Sequence, residues 1–297
     1  MASPNGNEHD SASKRNEECR EDIDGSSYNS LEEILSTLPR ETGWTSEYIY
    51  RYQGLWINPN FVPGTLKAQQ QFRARSTDIF LVTTPKSSTT WLKALIFSIV
   101  NRTSLLPNSV LKSGSRIVYI CREPKDVFVS MRFFTRKIKQ NWGFPSLSLE
   151  EACDLFTRGV SAYGPYWDHV LGYYKASLES PPNNILFLKY EEMKENILVQ
   201  VKKLAGFLGH SFSLRKEESG VVQEIVDLCS FENLQNLEVN RTGTQQYLAK
   251  NEWYFRKGEV GDWKNHLTPQ MIECLDRVTE QKFAGSGLTF QRQDGDT

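Results

Sequence analysis

Apolar residues along the chain recur with two spacings, and the alternation between them sets the expected fold. Three short apolar runs, DIFLV at 78–82, RIVYIC at 116–121 and NILFLKY at 184–190, have the length and β-branched content of strands buried on both faces. Each gives way to polar residues and then to a helical pattern. That order predicts βαβ units: an α/β fold, one domain, with a mainly parallel central sheet flanked by helices. Upstream, LEEILSTLP carries apolar residues at helical spacing with Pro39 as its stop. FVPGTLKAQQQF reads as a helix that follows the aromatic-rich lead-in YIYRYQGLWIN. Residues 1–29 hold almost nothing to bury and predict a disordered tail, which leaves 30–297 as the folded domain.

Composition narrows the class of ligand. With 297 residues, 39% of them hydrophobic, the chain can build one large core. A formal net charge of -1 argues against general affinity for nucleic acid or anionic membrane, so the expected ligand is small. Five cysteines, Cys19, Cys121, Cys153, Cys229 and Cys274, are scattered with no CxxC pair and an odd count, as in a reducing compartment. The N-terminal residues lack an apolar signal region and no run approaches membrane-spanning length, so the expectation is a soluble cytoplasmic protein.

Candidate chemistry lies after the strands, where parallel sheets place their ligands. TTPKSSTTW at 83–91 sets Lys86 before Ser87, Ser88, Thr89 and Thr90 in a strand-to-helix turn. Backbone N–H groups at such a turn, a lysine and four hydroxyls suit a phosphate or sulfate; a helix cap is the alternative, and it needs only one hydroxyl. The order is not that of a Walker A loop, since no glycine occurs in 78–113. After RIVYIC comes Arg122, and Ser130 follows eight residues on, a guanidinium and hydroxyl suited to a second phosphate or, singly, to a structural ion pair. In FRKGEVGDWK, Arg256, Lys257 and Lys264 surround Gly258 and Gly261, either as a ligand loop or as an exposed basic turn. Three such segments point to a ligand with phosphate-like groups at two ends.

PKSSTTWLKAL, RIVYICREPKDVFVS and FRKGEVGDWKN resemble, in order and context, the cofactor motifs of the cytosolic sulfotransferases. CSFENLQNLEVN and KFAGSGLTF are similar to the plant, flavonol-sulfotransferase-like branch, and the likeness runs from about residue 31 to the end. The resemblance implies 3′-phosphoadenosine 5′-phosphosulfate (PAPS) as co-substrate, no metal, and sulfo transfer to a hydroxyl of a small molecule. It implies a P-loop-like 5′-phosphosulfate loop at Lys86–Thr90, with Lys86 stabilising the leaving oxygen and Trp91 stacked on adenine. Arg122 and Ser130 match 3′-phosphate ligands, Arg256, Lys257 and Gly258 a loop closing over that phosphate, Tyr190 an adenine contact, and Cys229, Ser230 and Phe231 the rest of the purine pocket.

The chain also departs from the family pattern. A family segment several tens of residues long, carrying the catalytic histidine, has no match here: Trp91 and Arg122 are only 31 positions apart, and the shortening falls between 103 and 104. His9, His169, His210 and His266 all lie elsewhere, so the base histidine is absent and activity is expected to be reduced or lost, with a nucleotide-binding or regulatory homologue as the alternative. Ser88 replaces a glycine; if the backbone there has positive φ, serine costs on the order of 1–2 kcal/mol. Arg132 and Phe133 replace Trp-His near the acceptor, and KNHLTPQMIE at 264–273 resembles a dimer motif or, alternatively, a helix-end loop.

Overall fold

The computed structural model describes residues 25–102, 115–179, 184–245 and 249–290. The position expected to be shortened, between 103 and 104, lies outside the described residues, as do residues 1–24. Six strands are described: β1 Arg40–Thr42, β2 Tyr48–Tyr52, β3 Leu55–Ile57, β4 Ile79–Thr83, β5 Arg116–Cys121 and β6 Ile185–Lys189. The α-helices are α1 Gly25–Thr37, α2 Val62–Gln71, α3 Thr89–Asn101, α4 Pro124–Asn141, α5 Leu149–Thr157, α6 Tyr166–Glu179, α7 Tyr190–Glu195 and α8 Ile197–Phe207. They continue as α9 Leu214–Glu218, α10 Val221–Leu228, α11 Phe231–Asn236, α12 Glu238–Thr242 and α13 Pro269–Phe283. None of the described helices is long and apolar enough to cross a membrane.

The three expected strands pair in parallel in the order β4-β5-β6, with Thr83 opposite Ile120 and Cys121 opposite Lys189. Alternation along β5 divides the core. Val118 and Ile120 point to one face, where they pack with Leu92, Leu95 and Ile99 of α3 and Val201 and Leu204 of α8. Tyr119 and Cys121 point to the other, among Val127, Phe128 and Met131 of α4, Phe156 of α5, Trp167 of α6 and Leu275 of α13. Helices therefore cover both faces of one parallel sheet in a single domain, as its uniformly apolar strands require.

The aromatic-rich lead-in, to which the sequence assigned no element, forms an antiparallel sheet of β1, β2 and β3, with Tyr50 opposite Ile57 and Tyr52 opposite Leu55. Gln53 and Gly54 join β2 to β3 with φ of 48° and 87°, the positive pair that a two-residue hairpin needs. The helix α1 begins at Gly25, inside the segment 1–29 expected as a tail. Segment 264–273 runs from the 3-10 turn Asp262–Asn265 into α13, whose N-cap Thr268 accepts from Met271 N and whose first turn takes Pro269 where no donor is needed.

Candidate functional site

The register of the parallel sheet brings the carboxyl ends of β4, β5 and β6 side by side, so Lys86, Arg122 and Tyr190 leave the sheet at neighbouring points. The β4–α3 turn is wound tightly, with Lys86 at φ 68° and Ser88 at φ 71° in the left-handed region. Ser87 between them is buried and its hydroxyl pairs with Thr84 Oγ1 at 2.7 Å. Its side chain therefore holds the turn together and leaves Thr89 and Thr90, both half-buried, as the hydroxyls at the start of α3. The Lys86 ammonium lies 4.2 Å from the Phe134 ring centre and 5.2 Å from that of Tyr254. Burial lowers its pKa to about 7, and the positive charges of Arg122, Arg256 and Lys137 push the same way.

The second strand end is a dense ionic joint. Arg122 is buried, sits 4.6 Å over the Tyr190 ring and donates through Nη2 to the Glu259 carbonyl at 2.6 Å. On α4 its partner is Asp126 at 3.4 Å, one turn before the buried Ser130. Asp126, wholly buried, also accepts from Gly261 N at 2.8 Å and Trp263 N at 3.1 Å, and so ties the start of α4 to the 255–264 segment. Glu123 caps α4 by accepting from Asp126 N; burial raises its carboxyl to a pKa of about 8 against the opposing charge of Lys125.

The glycine-containing segment closes over these groups. Tyr190 donates to the Gly258 carbonyl at 2.7 Å and meets Trp91 edge-on with centroids 5.7 Å apart. Gly258 has φ 69°, and a Cβ there would stand 2.5 Å from Phe231 Cδ2, so only glycine lets Phe231 pack against this backbone. Cys229 ends α10 with its Sγ 3.4 Å from Ser98 Oγ of α3, and Ser230 caps α11 by accepting from Asn233 N. Arg256 and Lys257 both reach the buried Asp262, Lys257 at 2.5 Å. Burial alone would raise the Asp262 carboxyl, but hydrogen bonds from Lys257, Arg256 and Asn265 outweigh it and hold it well below the usual range.

The expected cofactor residues 86–91, Arg122, Ser130, Tyr190, 229–231 and 256–258 lie on these segments. Sequence reasoning missed Phe134 and Tyr254, which box Lys86, and the two buried carboxylates Asp126 and Asp262 that position the cations. The only signal for the latter pair was an acid inside each basic motif, in REPKD and RKGEVGD. Among the described histidines, the rings of two are engaged: His169 with Tyr119 Oη at 2.9 Å and His266 with Asp262 at 3.1 Å; His210 follows α8, its backbone carbonyl accepting from Arg102. Buried donors remain unpartnered at Arg122 Nε and Arg256 Nε, which fits a phosphate-bearing ligand beside both guanidinium groups.

Fold and site together define an α/β protein with a cation-lined anion cradle at the carboxyl ends of its parallel strands. The family model described as the sulfotransferase domain matches residues 102–287. The chain is 42% identical to cytosolic sulfotransferase 17 of Arabidopsis thaliana, covering 86% of this chain and 89% of the relative. It is 38% identical to flavonol 3-sulfotransferase of Flaveria bidentis, covering 88% of this chain and 100% of the relative. Among solved structures it is similar to a mouse sulfotransferase complexed with PAP, at TM-score 0.63 and 26% identity over 80% of this chain and 95% of that one. The chain belongs to the sulfotransferase family and is a transferase by descent.

Proposed function

We propose that the protein transfers the sulfo group of PAPS to a hydroxyl of a small molecule such as a flavonoid, a steroid or another phenol or alcohol. The observation that carries this reading is the pair of buried, unpartnered Nε donors on Arg122 and Arg256, two guanidinium groups from distant segments brought beside one another's loops. An unpaired buried donor costs about 1–3 kcal/mol, and a phosphate is the group that fits both. In this reading the 3′-phosphate belongs with Arg122, Ser130, Arg256, Lys257 and Gly258. Adenine belongs with Trp91, Tyr190, Cys229, Ser230 and Phe231, and the 5′-phosphosulfate with Lys86–Thr90. The acceptor oxygen bonds to sulfur as the sulfur–bridging oxygen bond breaks, the bridging oxygen keeps the electron pair, and the hydroxyl proton is released. Lys86 supplies the cation beside that leaving oxygen, and the boxed position over Phe134 and Tyr254 keeps it from bulk water.

With the rings of His169 and His266 engaged elsewhere and no match to the family's histidine segment, we place the rate below that of relatives with a base, by ~10²- to 10⁴-fold. The shortening between 103 and 104 is part of this reading. The engaged histidines also favour a second reading, a homologue that binds the nucleotide without transfer. Calorimetric titration with PAP, the desulfated product, tests the cradle: micromolar binding is expected, and no binding refutes both readings. Sulfo transfer to phenolic and steroidal acceptors by the purified protein then separates them. A cytoplasmic location is proposed from relatives named cytosolic.

A further inference from the structure

Phe133, expected beside the acceptor, packs its ring against two residues of the segment that closes over the cradle. The central carbon of the Arg256 guanidinium lies 5.1 Å from the centre of this ring, and the His266 ring meets it edge-on with centroids 4.9 Å apart. The next residue of α4, Phe134, lies under the Lys86 ammonium. Successive residues of one helix thus each hold a ring against a cation, and the two cations are those assigned to opposite ends of the nucleotide.

Arg256 is held from two sides. Its Nη1 donates to the buried Asp262, and the same carboxylate accepts from Asn265 Nδ2 at 3.2 Å and stands 3.1 Å from His266 Nε2. Phe133 therefore supports the flat face of the guanidinium directly, and through His266 it packs against the group that fixes the end. The Nε–H of Arg256 is left buried and without a partner. A guanidinium rests its face on an aromatic ring while its edge of donors stays free for a phosphate, so the two contacts do not compete. Water reaches 19% of the Arg256 side chain, and a cation–π contact strengthens as water is excluded. Arginine has many rotamers, and fixing them before a ligand arrives removes that ordering cost from binding.

We propose that Phe133 is a positioning residue that sets selectivity for a 3′-phosphorylated nucleotide, by holding Arg256 with its Nε–H free for the 3′-phosphate. The inference rests on the PAPS reading of the same cradle. It makes the ring, and not apolar bulk alone, the property that counts at this position. Leucine fills much of the space between α4 and the closing segment but offers the guanidinium no π face, whereas tyrosine offers the same face as phenylalanine.

The test compares PAP with adenosine 5′-phosphate, which lacks the 3′-phosphate, by calorimetric titration, using displacement of bound PAP for the weaker ligand. Phe133→Leu should weaken PAP binding about 5- to 10-fold and leave adenosine 5′-phosphate within about twofold, so the ratio of the two affinities narrows. Phe133→Tyr should bind PAP within about twofold of the natural chain. In Arg256→Ala the ring has no guanidinium to hold, so adding Phe133→Leu there should change PAP affinity by less than about twofold. A merely structural role for Phe133 gives the opposite pattern: both nucleotides weaken alike, and the loss persists in the Arg256→Ala background. Either result overturns the inference, as does unchanged PAP affinity in Phe133→Leu. No PAP binding by the natural chain refutes the PAPS reading itself, whereas PAP binding with an unmoved ratio refutes this inference alone. Should Phe133→Leu fail to fold, Phe133→Met, whose flexible chain fills the gap without a ring, carries the same expectation.

Discussion

Ser88→Gly tests the backbone of the cradle directly. Ser88 is held at φ 71° and ψ 28°, caps α3 without any side-chain hydrogen bond, and gives only its carbonyl to Leu92 N at 3.0 Å. A residue with a Cβ loses ~1–2 kcal/mol in this conformation, and glycine does not. Glycine also loosens the unfolded chain, which takes back ~0.4–1 kcal/mol. The variant should therefore be more stable by about 0.5–1 kcal/mol, a rise of ~1–3 °C in thermal midpoint for a chain of this size. Urea denaturation with an unchanged slope, backed by calorimetry, measures it. The neighbouring Ser87→Gly is the internal control: it removes the buried bond to Thr84 Oγ1 and should destabilise by about 1–3 kcal/mol. If Ser88→Gly lowers stability, or if both glycines act alike, strain at residue 88 is not a property of the folded protein and the argument fails.

Four further outcomes follow from the same geometry. Gly258→Ala forces a Cβ to 2.5 Å from Phe231 Cδ2 at φ 69°, so PAP affinity should fall at least ~10-fold, about 1.4 kcal/mol, in a titration; unchanged affinity contradicts the closing role of this segment. Tyr190→Phe removes the donor to the Gly258 carbonyl and should cost about 0.5–1.5 kcal/mol in urea denaturation. Lys86 has a folded pKa of about 7 against 10.5 ordinarily, so between those values the unfolded chain binds more protons and stability rises with pH; Lys86→Met should flatten that rise. Near pH 8 the arrival of phosphate charge should restore the ammonium, so PAP binding should take up about one proton, read from calorimetry in buffers of different ionisation heat.

Much of this protein was legible in the chain because its signals are local. Runs such as RIVYIC are apolar on both faces, so they had to become inner parallel strands, and the polar residues after each had to lie at the strand ends. The basic and hydroxyl residues of the cradle follow from that order. The hairpin of β2 and β3 was not legible, because the strands span 5 and 3 residues and the turn is Gln53-Gly54, a weaker signal than Asn-Gly. What only the tertiary structure decided is which partner each charge takes. Asp126 and Arg122 are neighbours in sequence, but Gly261 and Trp263, also held by Asp126, come from 135 and 137 residues away. The box of Phe134 and Tyr254 around Lys86 likewise depends on how distant segments pack. Sequence spacing fixes the period of an element and the chemistry it carries. Burial and counter-charge are set by the neighbours that folding brings, and these determine whether a lysine is an ordinary surface cation or a group with a pKa of about 7.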